Sequence, residues 1–210
     1  MSSRHETGWD RAYHRYGPDC LPWELGRPRE ALVELVASGR VVPGRVLDLC
    51  CGAGTNPVYL AKKDFDVTTL DISEKAVEYA KEKARKAKVE INLLVASYLN
   101  LPVKSEEFDF AFDFGCFHHV QENSRTTFIE EVHNVLRPNS TFFLVCFSYE
   151  NGPAWNHFRR EEIEELFGDF FEITWIKHVS SLEGDGITRY FYEVMMKKYT
   201  YSSASSKELE

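Results

Sequence analysis

The sequence predicts an α/β fold: a seven-stranded sheet, mostly parallel with an antiparallel edge strand, and helices on both faces. Three observations lead there. Short apolar runs alternate with stretches of helical spacing from Val46 to Phe147, which implies buried parallel strands joined by crossover helices. Two of those runs close on an acid, Asp48 and Asp71, so charge collects at strand ends. The last two strand-like runs are joined by a glycine-containing segment, Glu183-Gly184-Asp185-Gly186, which suits an antiparallel pair.

Each element has its own signal. A helix is predicted over 29–38, where Ala31, Leu32, Leu35 and Val36 recur at helical spacing and Gly39 supplies a stop. A buried strand follows at 46–49, a helix at 55–63 and a second strand at 67–70. Ser73 opens a helix that runs through Val77, Ala80 and Ala84 to about 88. Strands are expected at 91–95 and 108–114. Phe128, Ile129, Val132, Val135 and Leu136 share one helix face, Pro138 marks that helix's end, and 141–147 is a continuously apolar fifth strand. A short helix at 161–167 and strands at 171–179 and 188–197 complete the order. The span 1–200 reads as a single domain, and the Ser-rich, charged stretch 201–210 as a disordered tail.

Composition narrows the function classes. The chain has 210 residues, 43% of them hydrophobic and 28% charged, enough for a full core in a globular domain. A net charge of −8 argues against nucleic acid as a partner. Lys81, Lys83, Arg85, Lys86 and Lys88 are interleaved with glutamates and read as a solvated helix face. No apolar run approaches the ~20 residues of a membrane span, and no secretory signal pattern is present, so no membrane partner is expected. The five cysteines lack CxxC spacing, which suggests reduced thiols, a cytoplasmic setting and no structural metal.

The turn after the first strand carries the chemistry. Gly52 and Gly54 in Asp48-Leu49-Cys50-Cys51-Gly52-Ala53-Gly54-Thr55 let a nucleotide-type ligand press against the backbone. A dinucleotide would put its pyrophosphate near Asp48, where like charges repel, and its fingerprint wants a third glycine where Pro57 stands. S-adenosylmethionine (SAM) has no phosphate and carries an ammonium and a sulfonium that a carboxylate attracts. Asp71, at the end of the second strand, suits a ribose diol. The charge pattern favours SAM.

These residues resemble the class I SAM-dependent methyltransferases, which have a Rossmann-like sheet. The resemblance spans about 46–147 and rests on the Asp48–Gly54 turn, Asp71-Ile72-Ser73, Leu101-Pro102 with Phe108-Asp109, His118-His119-Val120 and Val135-Leu136-Arg137-Pro138. Gly8-Trp9-Asp10 and Pro22-Trp23-Glu24-Leu25-Gly26-Arg27-Pro28 are similar to the entry segment of the thiopurine, thiol/halide and tellurite-resistance group. That likeness implies an N-terminal cap, residues 1–40, folded over the cofactor and shaping the substrate pocket. The chain departs from the pattern at three places. Cys50 stands for a glycine, Ser97 for the Asp that accepts from the adenine amino group, and Asn139-Ser140 for a Gly-Gly turn.

The resemblance implies a cofactor set of Asp48, Cys50, Gly52, Gly54, Asp71, Ile72, Ser97, Tyr98 and Phe114, joined by Trp23 and Arg27 from the cap. Asp71 is read as the ribose ligand, with a helix N-cap role as the alternative. Asp48 either meets the cofactor's amino-acid end or is a buried carboxylate that holds the turn. His118 and His119 are candidate catalytic residues, although the doublet also recurs in these enzymes regardless of substrate. Trp155, His157 and Arg159 follow the fifth strand, where the resemblance implies a substrate lid and a solvated loop is the alternative. The expected function is methyl transfer to a small-molecule nucleophile. A protein substrate, less readily an RNA, or a non-catalytic SAM-binding role are the alternatives.

Overall fold

A computed structural model describes residues 7–153 and 156–199. Its seven strands lie in one sheet in the order β3-β2-β1-β4-β5-β7-β6. These are β1 (Arg45–Asp48), β2 (Asp66–Asp71), β3 (Asn92–Val95), β4 (Phe108–Phe114), β5 (Leu136–Phe147), β6 (Phe171–Leu182) and β7 (Thr188–Lys198). The helices are α1 (Gly8–Tyr16), α2 (Glu30–Ala37), α3 (Thr55–Ala61), α4 (Glu74–Ala87), α5 (Arg125–Val135) and α6 (Arg160–Phe167). The described residues divide into two compact units, those up to 98 with 182–188, and those from 99 to 181 with those from 189 on.

In the first unit β1, β2 and β3 pair in parallel, with Val46 opposite Val67 and Asp71 opposite Val95. Val46, Leu47 and Leu70 are wholly buried, as continuous apolar runs in a covered parallel sheet require. Helix α4 forms because Ser73 accepts the Ala76 N–H at its N-cap, Glu74 meets the positive helix end, and Ala76, Val77, Ala80 and Ala84 supply one buried stripe. Helix α1 was not among the expected elements. Thr7 and Asp10 form a reciprocal capping box at its start, and Tyr13 is its buried anchor.

In the second unit β4 and β5 run parallel and β7 lies antiparallel to β5, with Phe143 opposite Met195. The antiparallel strand is therefore one place in from the edge, which β6 occupies. The core here is aromatic: Phe117 packs on Phe128, Phe158 and Phe167 at centroid distances of 5.1, 5.0 and 5.0 Å. Pro138 does not separate a helix from a strand. Helix α5 passes directly into extended Leu136, and β5 already contains Pro138. The register slips between Phe108 and Phe110, so residues 137–140 bulge out and need no ladder N–H from proline.

Cys20, Cys51 and Cys146 are free thiols, whereas Cys50 and Cys116 are disulfide-bonded. This corrects the expectation of an entirely reduced set, because pairing depends on distance in the fold and not on the count or spacing of cysteines. Among the described residues no helix is long and apolar enough to cross a membrane. The expected tail at 201–210 and Trp155 lie outside the described residues.

Candidate functional site

The first unit brings most of the residues singled out from the sequence to the carboxyl ends of β1, β2 and β3, where open α/β sheets bind ligands. Asp71 ends β2 almost fully buried. Its Oδ2 accepts the Gly52 N–H at 3.1 Å and its Oδ1 the Ser73 N–H at 2.9 Å. Burial pushes its pKa up to about 6 against the pull of those two N–H donors, and Glu24 adds to the rise. Each carboxylate oxygen has a second lone pair, so capacity remains for a diol.

Gly52 and Gly54 have different reasons to be glycine. Gly52 has φ +52°, and a Cβ there would meet only side-chain ends, the Glu24 carboxylate and, at 2.9 Å, the Tyr13 hydroxyl. Gly54 has φ +84°, and its Cβ would lie 2.7 Å from both Cα and Cβ of Ala80. The second glycine is thus demanded by the close approach of α3 to α4. Asp48 is buried, and its Oδ1 accepts the Cys50 N–H at 3.4 Å, the turn-holding arrangement. Cys50, being disulfide-bonded, presents no free thiol to a ligand.

The N-terminal segment sits on this turn through one chain of hydrogen bonds. Trp23 Nε1 donates to the Tyr13 hydroxyl at 2.9 Å, that hydroxyl donates to Glu24 Oε1 at 2.7 Å, and Ala53 N–H donates to the same oxygen at 2.5 Å. Trp23 is 36% exposed and meets Trp9 edge-on at 5.4 Å. Asp10 ties α1 to the start of α4 by accepting from Ser73 Oγ at 2.8 Å and Lys75 N–H at 3.1 Å. Those contacts and its capping box hold its carboxyl down at about 2. Burial and the neighbouring Glu24 and Asp71 carboxylates push the Tyr13 phenol pKa far up, so it stays protonated.

Arg27 is exposed at the surface, whereas Arg29 is the arginine built into the segment. Its guanidinium meets Glu183 at 2.8 and 3.0 Å and donates to the Trp23 carbonyl at 3.1 Å. The Gly184 N–H donates to the Pro22 carbonyl at 2.9 Å, so the 182–188 segment braces the same stretch. Beside Asp71, Ile72 and Val95 are 40% and 38% exposed, apolar surface at adjacent strand ends. Ser97 and Tyr98 follow β3, both half-buried. Tyr13 reads in sequence only as a possible pocket residue, and the Thr7-x-x-Asp10 box announces its helix; Glu24, Val95, Arg29 and Glu183 have no local signal and were missed.

The second unit holds the remaining candidates. Phe114 ends β4 half-buried and packs edge-on to Phe112 and Phe143. Asp113, next to it, is wholly buried and accepts the N–H groups of Cys116 and Phe117 at 2.7 and 2.8 Å, holding the turn that carries the histidines. Burial pushes its pKa up to about 7. The His118 ring is buried and stacks on Phe147 at 3.8 Å. Its Nδ1 accepts the Phe147 N–H at 3.3 Å, which assigns the proton of a neutral ring to Nε2. Burial drives its pKa well down, so it stays neutral. His119 lies at the surface beside it, with ring centroids 4.5 Å apart. His157 and Arg159 flank Phe158, and the Arg159 guanidinium lies 4.5 Å over the Tyr149 ring.

In kind this donor set fits SAM: the Glu24 and Asp71 carboxylates and the Tyr13 hydroxyl converge on Gly52, and Ile72 and Val95 expose apolar surface at adjacent strand ends. No group of His, Cys, Asp and Glu among the described residues is arranged to hold a metal.

Comparison with known proteins bears on the same region. A methyltransferase domain family matches residues 46–139. A probable thiol methyltransferase 2 of Arabidopsis thaliana is 28% identical over 74% of this chain and 69% of its own length. An uncharacterised methyltransferase of Schizosaccharomyces pombe is 30% identical over 50% of this chain and 73% of its own length. Among solved structures, one described for the conversion of a disulfide bond into a thioacetal group during echinomycin biosynthesis superposes with a TM-score of 0.81 at 22% identity, covering 95% of both chains. A Burkholderia thailandensis 1,6-didemethyltoxoflavin N1-methyltransferase with bound S-adenosylhomocysteine superposes with a TM-score of 0.69 at 17% identity, covering 90% of this chain and 81% of that one.

Proposed function

We propose that this chain, which belongs to the class I SAM-dependent methyltransferases, moves the methyl group of SAM to a small-molecule nucleophile, with a thiol or similar soft anion as the acceptor class. The observation that carries the reading is the aromatic cap of Trp9, Tyr13 and Trp23 on the glycine turn, tied down through Glu24. Such a cap suits a compact acceptor better than a macromolecular one. The likeness to a probable thiol methyltransferase, over 74% of this chain, supports the acceptor class.

When bound, SAM supplies an already activated methyl electrophile. The protein's task is then alignment and exclusion of water, and alignment alone can contribute roughly 7–11 kcal/mol to lowering the barrier. In this reading Asp71 holds the ribose diol, Gly52 admits the cofactor backbone, and Ile72, Val95, Ser97 and Tyr98 surround the adenine. Asp48 keeps the turn in shape, and Trp23 closes over the ligand. A thiolate forms in water near neutral pH and needs no buried base. His118, with Nδ1 engaged and the ring neutral, serves as a post that positions the turn after β4.

The test follows the label. With methyl-tritiated SAM and a cell lysate, radioactivity is expected in the small-molecule fraction, rising on addition of aryl or alkyl thiols. Label confined to protein or RNA would sink the small-molecule reading. SAM bound tightly with no transfer to any fraction would point to a binding module.

A further inference from the structure

Glu24, which ties the aromatic cap down, is also the hub of charge on the capped turn. Its Oε1 takes two donors at once, the Ala53 N–H at 2.5 Å and the Tyr13 hydroxyl at 2.7 Å. The same oxygen faces Gly52, where a Cβ would collide with it. A carboxylate has been brought by the N-terminal segment to the bare face of the glycine turn, close enough for its charge to bear on Asp71. Asp10, Glu24 and Asp71 all take their hydrogen bonds in this unit from backbone N–H and hydroxyl groups, which satisfy lone pairs without cancelling charge. The turn therefore keeps a negative potential in a half-buried setting, where charge acts over several ångströms.

That potential separates the two forms of the cofactor. SAM carries a sulfonium, and S-adenosylhomocysteine a neutral sulfide; ribose, adenine and amino-acid end are common to both. Resting on the SAM reading above, we propose that Glu24 is a positioning residue of the cofactor site whose charge favours the sulfonium cofactor over the neutral sulfide product. The cap residue that closes the site thus helps discharge it after transfer.

The experiment is isothermal titration of SAM and S-adenosylhomocysteine into wild type, Glu24→Gln and Glu24→Asp, with melting temperatures measured alongside. Gln keeps the oxygen that accepts from Ala53 and Tyr13 and removes only the charge. The Kd for SAM is expected to rise at least tenfold in E24Q while that for S-adenosylhomocysteine rises less than threefold. E24D, which keeps the charge, is expected to hold the product-to-cofactor Kd ratio within threefold of wild type. An equal loss for both ligands in E24Q, no loss for either, or an E24D ratio matching E24Q overturns the proposal. Wild-type protein that binds neither ligand overturns the SAM reading itself, and this inference with it.

Discussion

Replacing Asp71 by Asn separates what this carboxylate costs the fold from what it does for the ligand. Ionised and buried, Asp71 has its pKa raised from 3.8 to about 6, a difference equivalent to about 3 kcal/mol of strain on the native state at neutral pH. Asn removes that strain. It also turns one acceptor into an NH₂ group facing an N–H, either of Gly52 at 3.1 Å or of Ser73 at 2.9 Å, and a buried donor left unsatisfied costs about 1–3 kcal/mol. The two effects offset, so the ligand-free D71N protein is expected to match wild-type stability to within about 2 kcal/mol in urea unfolding. Ligand binding has no such offset. Losing charged acceptors for a ribose diol costs about 2–4 kcal/mol, or roughly thirtyfold to a thousandfold in Kd. Because the ribose is common to both, SAM and S-adenosylhomocysteine should weaken by the same factor in titration calorimetry. A D71N protein that binds SAM with wild-type affinity would refute the ribose assignment.

Other perturbations test other parts of the account. Asp71 and Asp113 both have folded pKa values above the unfolded one, about 6 and about 7, so between pH 4 and 7 the native state holds more protons. Their joint contribution therefore makes the ligand-free protein less stable as pH rises through that window, and D113N should flatten the slope; urea midpoints at pH 5.5 and 8 that show no difference between wild type and D113N would contradict this. Gly54→Ala forces a Cβ to 2.7 Å from Ala80 at φ +84°, which should cost about 2–4 kcal/mol in urea unfolding. A loss under 1 kcal/mol would mean that α3 and α4 are not in close contact there. Arg29→Ala leaves Glu183, whose side chain is 4% exposed, without its partner at 2.8 Å and should cost about 3 kcal/mol, with faster trypsin cleavage at Arg11 and Arg15. His119→Ala should keep methyl transfer within a few-fold of wild type, and a hundredfold loss of kcat would assign it a catalytic role.

Much of the frame was legible because it depends on local pattern. Apolar runs closing on Asp48 and Asp71 announced parallel strands with their acids at the ligand end, and Ser73 before an alanine-rich stripe announced α4. The site was legible only as far as it sits on that frame. Glu24 and Tyr13 acquire meaning from where α1 docks, which no spacing in the chain encodes. Arg27 and Arg29 look alike in sequence, and the choice between them is made by Glu183, 154 positions away from Arg29. Gly54 reads in sequence as a cofactor glycine; the constraint that Ala80 on the next helix places on it is invisible there. Asp113 was hidden inside an apolar strand, where periodicity sees a core position and misses the N–H groups it serves.

The central claim is transfer to a soft small-molecule nucleophile. The most direct measurement is the rate of S-adenosylhomocysteine formation by the purified protein with SAM and matched acceptors: an aryl thiol, the corresponding phenol and the corresponding aniline. The account predicts saturable turnover of the thiol at least a hundredfold faster in kcat/KM than either partner, rising with pH through the thiol's own pKa. Turnover of the phenol or aniline with the thiol inert would contradict it.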